Sequence, residues 1–242
     1  MATATGLMKE MSGVLGNFVI AHRGNKIFLK NRPQRSKKPL TALALEKRVK
    51  FGLGGKIAGK ISSIEEIKQF WKGDPEKNNT GYNRLFHANH GQFDVENFSG
   101  KIILSEGGGL EVVNPLVKIE EWGLAISCDS FKSADAEKRV PAKFIRASGI
   151  IIMKNPITDG AKDYDFMTFR TDVSAVMEGE KFSAEVKYLG GDLIRFNDYA
   201  VKKVFAVFIT CSGEWELTDI SGTVESDLSD NSGSVEGEGA DI

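Results

Sequence analysis

The sequence predicts a mainly β protein whose body is an antiparallel β-sandwich or barrel, with an N-terminal β-hairpin arm and a short helical segment. Three observations support this fold class. From about residue 98 the apolar residues recur with a period near two, which is typical of half-buried strands. Short turn sequences rich in Gly, Asn and Pro separate these stretches. No helical pattern alternates with them, which argues against a parallel sheet.

The predicted arm occupies residues 13–31. Residues 14–20 form one strand, Arg23-Gly24-Asn25 the turn, and residues 26–30 the returning strand. Gly and Asn suit a tight turn because both tolerate positive φ. An isolated hairpin is only marginally stable in water, so this one is expected to dock on its own body or on a neighbouring subunit.

A helical segment follows the arm. One helix is predicted from Thr41 to about Phe51. Ser63 and Glu66 match a capping box for a second, amphipathic helix, and helix is expected largely in this part of the chain. Each glycine between residues 52 and 59 disfavours helix by about 1 kcal/mol relative to alanine, so we expect them to interrupt or bend it.

The candidate strands of the body share alternating apolar residues and lie between turn sequences. They are Gly100–Leu104, Leu110–Val113, Trp122–Cys128, Ala142–Met153, Asp165–Phe169, Lys181–Tyr188, Val201–Thr210 and Glu214–Leu217.

Together these patterns divide the chain into four parts. They are a basic hairpin arm and connector (1–40), a helical segment and loop (41–97), an antiparallel β body (98–220) and an acidic flexible tail (221–242).

Charge is strongly segregated along a chain whose net charge is only −1. Residues 1–72 hold 15 Lys or Arg and four Glu, whereas residues 73–242 hold 17 basic and 29 acidic residues. Residues 32–39 form a basic connector between two prolines, which favour an extended chain. Opposite charge in two parts of one chain suggests an interaction arm or head-to-tail contacts between copies. The alternative is that the arm folds back on its own acidic body.

Size and composition exclude several classes of protein. The 242 residues, 41% of them hydrophobic and 27% charged, exclude wholesale disorder. No apolar run reaches the roughly 18–20 residues needed to span a bilayer. The N-terminus lacks the apolar core of an export signal, which predicts a protein that is cytoplasmic or incorporated into an assembled particle. Cys128 and Cys211 should then be reduced, buried in apolar strands and slow to react.

The motifs that come closest to a catalytic or metal signature are incomplete. Residues 54–61 fit the phosphate-binding G-x-x-x-x-G-K core, but isoleucine replaces the Ser or Thr that binds magnesium, and no buried strand precedes it. His87 and His90 lack a third ligand and the Glu of H-E-x-x-H. The acidic residues at 159–172 miss the rhythm of a calcium loop. The sequence therefore predicts no enzyme activity, no cofactor, no metal site and no small-molecule substrate.

Four N-terminal segments carry a family resemblance. They are Gly-Val-Leu-Gly-Asn-Phe-Val (13–19), Arg-Gly-Asn-Lys (23–26), the connector with the residues after it (32–41), and Arg-Val-Lys-Phe (48–51). This region resembles an uncharacterised bacterial family, a domain of unknown function that opens G-x-x-G-N-x-V and continues with a Gly-Lys turn, R-x-x-P, a basic Pro/Thr stretch and R-x-x-F. No activity is established for that family, so the resemblance implies no catalytic residues.

These features predict a non-enzymatic structural protein that self-associates into homo-oligomers through its N-terminal arm, as in a phage-like particle or tube. The arm would add strands or complementary charge to a neighbouring copy. One alternative is a nucleic-acid-binding protein that uses the same basic arm. A second is a ligand-binding or enzymatic β-sandwich of unknown substrate. The predicted assembly interface comprises Leu15, Phe18, Ile20, Ile27, Phe28, Arg32, Arg35, Lys37 and Lys38.

Overall fold

The computed structural model describes residues 2–3, 13–23, 26–32, 41–72, 80–94, 97–133, 144–175, 178–211, 217–226 and 229–230. The chain forms two compact units, Met1–Arg48 and Val49–Ile242, which we call the N-terminal and C-terminal units. Among the described residues, none of the helices combines the length and the apolar character that crossing a bilayer requires.

The N-terminal unit contains a four-stranded antiparallel sheet. In the order β1-β4-β3-β2, its strands are Ala2–Thr3 (β1), Lys26–Asn31 (β4), Phe18–Arg23 (β3) and Gly13–Leu15 (β2). The pairing of β3 with β4 confirms the predicted hairpin. However, residues 14–20 are two strands, not one, because the chain turns at Gly16-Asn17 and Val14 pairs with Val19. Gly16 has φ +57°, a left-handed conformation that glycine adopts without steric penalty.

Four helices are described: Ala42–Ile61 (α1), Glu65–Phe70 (α2), Gly81–Asn89 (α3) and Gly190–Asn197 (α4). The prediction that the glycines interrupt or bend the first helix is wrong as to an interruption, since α1 continues through all of them. Leu53, Ile57 and Ile61 are buried along one side of α1. A Cβ at Gly54 would lie 3.2 Å from the Phe86 ring, so glycine lets α3 pack closely here. Burial of the apolar side outweighs the weak helix propensity.

The predicted capping box at the second helix is also wrong. Ile64 is the N-cap residue of α2 and makes no side-chain cap, while the Ser63 hydroxyl donates to the carbonyl oxygen of Lys60 at 2.6 Å. Glu66 instead pairs with Arg146 and Arg170 in the β body. Ser63 therefore closes the end of α1, and a tertiary ion pair takes the Glu66 carboxylate away from the helix start.

Helices α3 and α4 were not predicted, because their first residues are glycines that are typical of turns. Helix α3 begins where the Thr80 hydroxyl accepts a hydrogen bond from the N–H of Asn83 at 3.3 Å. Helix α4 is held by the buried Phe196. Helix is therefore not confined to the segment before residue 72.

The C-terminal unit is built around an antiparallel sheet of long strands. Its strands are Phe93–Asp94 (β5), Ser99–Gly100 (β6), Glu106–Gly108 (β7), Leu110–Val113 (β8), Leu116–Glu120 (β9), Gly123–Cys128 (β10), Ser130–Ser133 (β11), Phe144–Pro156 (β12), Tyr164–Arg170 (β13), Phe182–Lys187 (β14), Tyr199–Cys211 (β15), Leu217–Gly222 (β16), Val224–Glu225 (β17) and Ser229–Asp230 (β18). The central sheet has the order β13-β12-β15-β16-β7, and β17 and β18 also pair with β15. Smaller sheets have the orders β14-β10-β9, β11-β8 and β5-β6. The mainly antiparallel, sandwich-like body is thus confirmed.

Both faces of the central sheet are buried. On one face Ile150 and Phe205 share a core with residues of α1, α2 and α3. On the other, Ile151 and Phe208 share a core with the smaller sheets β14-β10-β9 and β11-β8 and with α4. Successive side chains of a strand point to opposite faces, so β12 and β15 are apolar at nearly every position in their centres.

The predicted strand at residues 100–104 is replaced by irregular extended chain, because a side chain supplies its hydrogen bonds. The Asn89 amide oxygen accepts from the N–H of Ile103 at 2.7 Å, and the amide nitrogen donates to the carbonyl oxygen of Ile103 at 2.9 Å. The same nitrogen donates to the carbonyl oxygen of Leu85 at 3.0 Å. Asn89 therefore acts as the neighbouring strand that this segment lacks.

Replacing Asn89 with alanine is expected to lower the free energy of unfolding by about 2 kcal/mol or more, since the polar backbone groups of Ile103 lose their partners in a buried setting. Urea denaturation followed by circular dichroism measures the change. Asn83→Ala on the exposed side of the same helix is the matched control and should have little effect. Equal losses in the two variants would contradict this role of Asn89.

The predicted start of the flexible tail, at residue 221, is wrong, because the described residues 221–226 belong to the folded β body. Ser221 and Ser226 are buried, and their hydroxyls accept from the N–H groups of Phe208 at 2.9 Å and Val204 at 3.0 Å. A polar composition suggested an unfolded segment, but here the hydroxyls satisfy backbone donors of the central strand β15. The predicted tail from residue 231 onward lies outside the described residues.

Candidate functional site

The residues of the predicted assembly interface have different environments within the N-terminal unit. Ile20 and Ile27 are buried and Phe28 is half-buried. Phe18, at 43% exposure, and Arg32 are exposed. The side chain of Leu15 and the cations Arg35, Lys37 and Lys38 lie outside the described residues.

Two apolar side chains, one on each face of the sheet, are exposed at the β2 edge of the N-terminal sheet. Strand β2 is an edge strand, and its Val14 side chain is 59% exposed. Phe18 stands on the adjacent strand β3, where it pairs with Leu15. A sheet edge presents unpaired backbone groups, and apolar side chains beside it favour pairing with another chain. We call Val14 and Phe18 the edge pair.

The two units carry opposite net charge. Residues 1–48 hold ten Lys or Arg and two Glu, whereas residues 49–242 hold 22 Lys or Arg and 31 Asp or Glu. Residues 49–72 still hold five Lys and two Glu, so the basic stretch continues to about residue 72, inside the C-terminal unit. The N-terminal unit is the part of this basic stretch that has its own sheet.

A separate, cationic cleft of about 440 Å³ lies in the C-terminal unit, between α1, β13 and α4. Lys56 and Lys60 of α1, Lys162 before β13 and Arg195 of α4 line it. The two α1 lysines are four residues apart and so share one side of the helix. The Lys56 ammonium donates to the Tyr164 hydroxyl at 3.4 Å and lies 5.0 Å from the centre of its ring.

One carboxylate lines the cleft, and it is already paired. Arg195 donates to Asp165 at 2.6 Å, and the N–H of Phe166 donates to the same carboxylate at 2.8 Å. Burial favours the neutral acid, but these hydrogen bonds and the Arg195 charge outweigh it and hold the pKa of Asp165 below its usual value. The hydrogen bond to Asp165 in turn raises the pKa of Arg195. None of the cleft's three lysines forms an ion pair within the part of the chain that the structure describes, although the charge of Lys162 also contributes to the lowered pKa of Asp165.

Beside the cleft lies a cluster of aromatic rings carried by α1 and the region of α3. The Phe86 ring lies 4.9 Å from Phe51, 5.2 Å from His90 and 6.5 Å from Tyr82, between ring centres. Phe51 is 62% and Tyr82 43% exposed. The Tyr82 hydroxyl donates at 3.3 Å to the carbonyl oxygen of Gly55, a residue that also lines the cleft. The aromatic cluster and the cleft therefore form one continuous surface.

Sequence reasoning missed this surface. Residues 54–61 match part of a phosphate-binding loop and, by their glycines, a joint between two helical pieces, but they lie inside α1. The spacing of Lys56 and Lys60 was the available signal, since it indicates two cations on one helix face. No local pattern indicates that Lys162 and Arg195 join them, because the fold brings these residues together over more than 100 positions of sequence.

The other residues singled out in the sequence fall in unremarkable settings. His87 and His90 are exposed near the end of α3. No group of metal-ligating side chains occurs in the described ranges. Asp165 is bound by Arg195 as described above, and Asp159 and Asp163 lie exposed in the loop before β13.

Cys128 and Cys211 are both buried with free thiols. Each belongs to the strand face predicted for it, Cys128 with Leu124 and Ile126 and Cys211 with Val207 and Ile209. Burial raises the pKa of both thiols above the usual value, which lowers the thiolate fraction at neutral pH. The two cysteines belong to different cores, so neither is placed to react with the other.

No family model, curated protein or solved structure shows a significant match to this chain. The resemblance of residues 13–51 to a bacterial family of unknown function stays a prediction.

Proposed function

We propose that the protein is a structural component that self-associates, with the basic N-terminal unit of one copy docking on the acidic C-terminal unit of the next. The observation that carries the proposal is the opposite net charge of the two units, ten Lys or Arg against two Glu in residues 1–48 and 22 Lys or Arg against 31 Asp or Glu in residues 49–242. Complementary potentials of this kind steer association and fix its register. The free, buried cysteines fit a reducing compartment, and we propose the cytoplasm as the place of assembly.

The contact would join two different surfaces, the N-terminal unit of one copy and the C-terminal unit of the next. It is therefore a heterologous, head-to-tail contact. Such contacts give rings when the rotation closes and filaments or tubes when it does not. A phage-like particle or tube is the kind of product that we expect. No catalytic group is required for this function.

The apolar edge pair should contribute more to affinity than the cations do. Burying one such side chain contributes roughly 1.5–3 kcal/mol, whereas an exposed ion pair contributes about 0–1 kcal/mol. Val14 and Phe18 are exposed in the single chain on opposite faces of the sheet, so docking along the β2 edge would remove apolar surface from water on both faces. The cations would act mainly on the rate of association.

Light scattering coupled to gel filtration, in low and moderate salt, tests the proposal. The wild type should form defined oligomers, and Val14→Ser with Phe18→Ser should weaken association at least tenfold. Lys37→Ala with Lys38→Ala should have a smaller effect that vanishes in moderate salt. Ile157→Ser, at an exposed apolar position of the C-terminal unit, is the control and should associate like the wild type. A monomeric wild type would overturn the proposal. If the lysine changes weaken association more than the Val14 and Phe18 changes do, charge and not apolar contact holds the arm to its neighbour.

Deletion of residues 1–40 provides a second test of the proposal. Both apolar cores of the C-terminal unit consist of residues after position 52, so the truncated chain should stay folded and become monomeric. Unfolding of the truncated chain would indicate that the N-terminal sheet docks within its own chain, and the proposal would lose its support.

A further inference from the structure

We propose that the continuous surface of the cationic cleft and the aromatic cluster binds single-stranded nucleic acid, with phosphates in the cleft and bases on the exposed rings. This site lies wholly in the C-terminal unit and is separate from the basic arm. It is also independent of the proposed self-association.

The charge of the cleft is the first support. Lys56, Lys60 and Lys162 bring three positive charges to a cleft of about 440 Å³, and the carboxylate of Asp165 is neutralised by Arg195. The unit as a whole is acidic, with 31 acids against 22 bases. A local concentration of cations without ion pairs in an acidic unit is therefore a specific feature of the cleft and points to an anionic ligand.

The type of cation favours phosphate over carboxylate. The guanidinium of Arg195 is already bound to Asp165. It is therefore not available for the bidentate hydrogen bonds by which arginine binds a carboxylate ligand. The cations without an ion pair are lysine ammoniums, which act as point charges on flexible stems and suit a series of phosphates without fixed geometry.

The exposed rings are the second, independent support. Phe51 and Tyr82 project apolar faces into solvent beside the cleft, although a folded chain gains by burying such rings. A positively charged groove next to aromatic side chains is the usual arrangement in proteins that bind single strands without sequence preference. In a duplex the bases are already stacked on each other, so a single strand is the form that both features fit.

The dimensions agree with a short contact. Phe51 and Lys60 are nine residues apart on α1, which corresponds to about 14 Å along the helix axis. The Tyr82 hydroxyl and the cleft both meet the helix at Gly55, between these two ends. One strand can therefore contact rings and lysines at the same time.

Fluorescence anisotropy of a labelled oligothymidylate with the full chain tests the inference. Lys56→Gln with Lys60→Gln should weaken binding at least tenfold. It should also reduce the slope of log affinity against log salt by about 1.4, because each phosphate contact on a single strand contributes about 0.7. Lys118→Gln with Lys132→Gln removes two exposed lysines elsewhere on the same unit and should change affinity less than twofold.

Phe51→Ser with Tyr82→Ser should weaken binding at least fivefold while the salt slope is unchanged, since stacking carries no charge. None of these variants should alter the oligomeric state, so failure here is distinguishable from failure of the proposed self-association.

Wild-type binding by the Lys56/Lys60 variant would overturn the inference and leave the basic arm as the binding site. Full competition by inorganic phosphate or ATP at equal concentration would also overturn it, because the ligand would then be a small phosphate. Tighter binding of duplex than of single strand would overturn it as well.

Discussion

Replacing Glu66 with glutamine is expected to lower the free energy of unfolding by about 3–5 kcal/mol. The Glu66 carboxylate pairs with Arg146 at 3.0 Å and with Arg170 at 2.8 Å. Only 11% of the Glu66 side chain and 9% of the Arg146 side chain are exposed. Glutamine keeps the shape but removes the negative charge, so the buried ion pair with the Arg146 guanidinium is lost. Arg170 is half exposed and remains hydrated.

Urea denaturation measures the effect, and the chain offers a matched control. Glu65 precedes Glu66 on the same helix and pairs with Lys68 at 2.9 Å, but both side chains are exposed. Glu65→Gln should therefore change stability by less than about 1 kcal/mol. Glu66→Met combined with Arg146→Met removes both buried charges and should be more stable than Glu66→Gln alone. Equal stability of the Glu65 and Glu66 variants would contradict the prediction.

Replacing Gly149 with alanine is expected to destabilise the protein by about 3 kcal/mol or more. Gly149 lies in β12 between Phe169 of β13 and Ala206 of β15. A Cβ at this position would overlap the carbonyl oxygen of Phe205 and lie 2.8 Å from the Phe169 ring. A backbone oxygen cannot rotate away as a side chain can, so the central strand pair would have to shift.

Gly52→Ala is the control, and it should stabilise the protein rather than destabilise it. Gly52 is exposed in α1 and a Cβ there meets no atom within 4 Å. Alanine should stabilise the helix by about 0.5–1 kcal/mol, because it loses less backbone entropy on folding than glycine does. The melting temperatures of the two variants should move in opposite directions. A Gly149→Ala protein as stable as the wild type would show that β12 tolerates a side chain at its centre.

Local patterns sufficed to predict the longest strands of the body, but not the short strands β7, β9 and β11. The predicted Leu110–Val113 has the same bounds as β8, and the predicted Val201–Thr210 lies within β15. Both depend on features within a few residues, namely apolar alternation or a continuous apolar run and the turn residues that bound it. The faces of Cys128 and Cys211 followed from the same alternation, and the two cores confirm them.

The sequence by itself therefore determined the antiparallel β body, the hairpin of β3 and β4, and the segregation of charge. Only the tertiary structure decided that α1 continues through its glycines, that Asn89 replaces a strand and that Glu66 faces Arg146 rather than its own helix. The same holds for the cleft, where Lys56 meets Lys162 and Arg195. The physical reason is that these features depend on burial and on pairing between groups far apart in the chain. Such contacts contribute more free energy than the local propensities of glycine, asparagine or a capping residue, which is all that a short stretch of sequence displays.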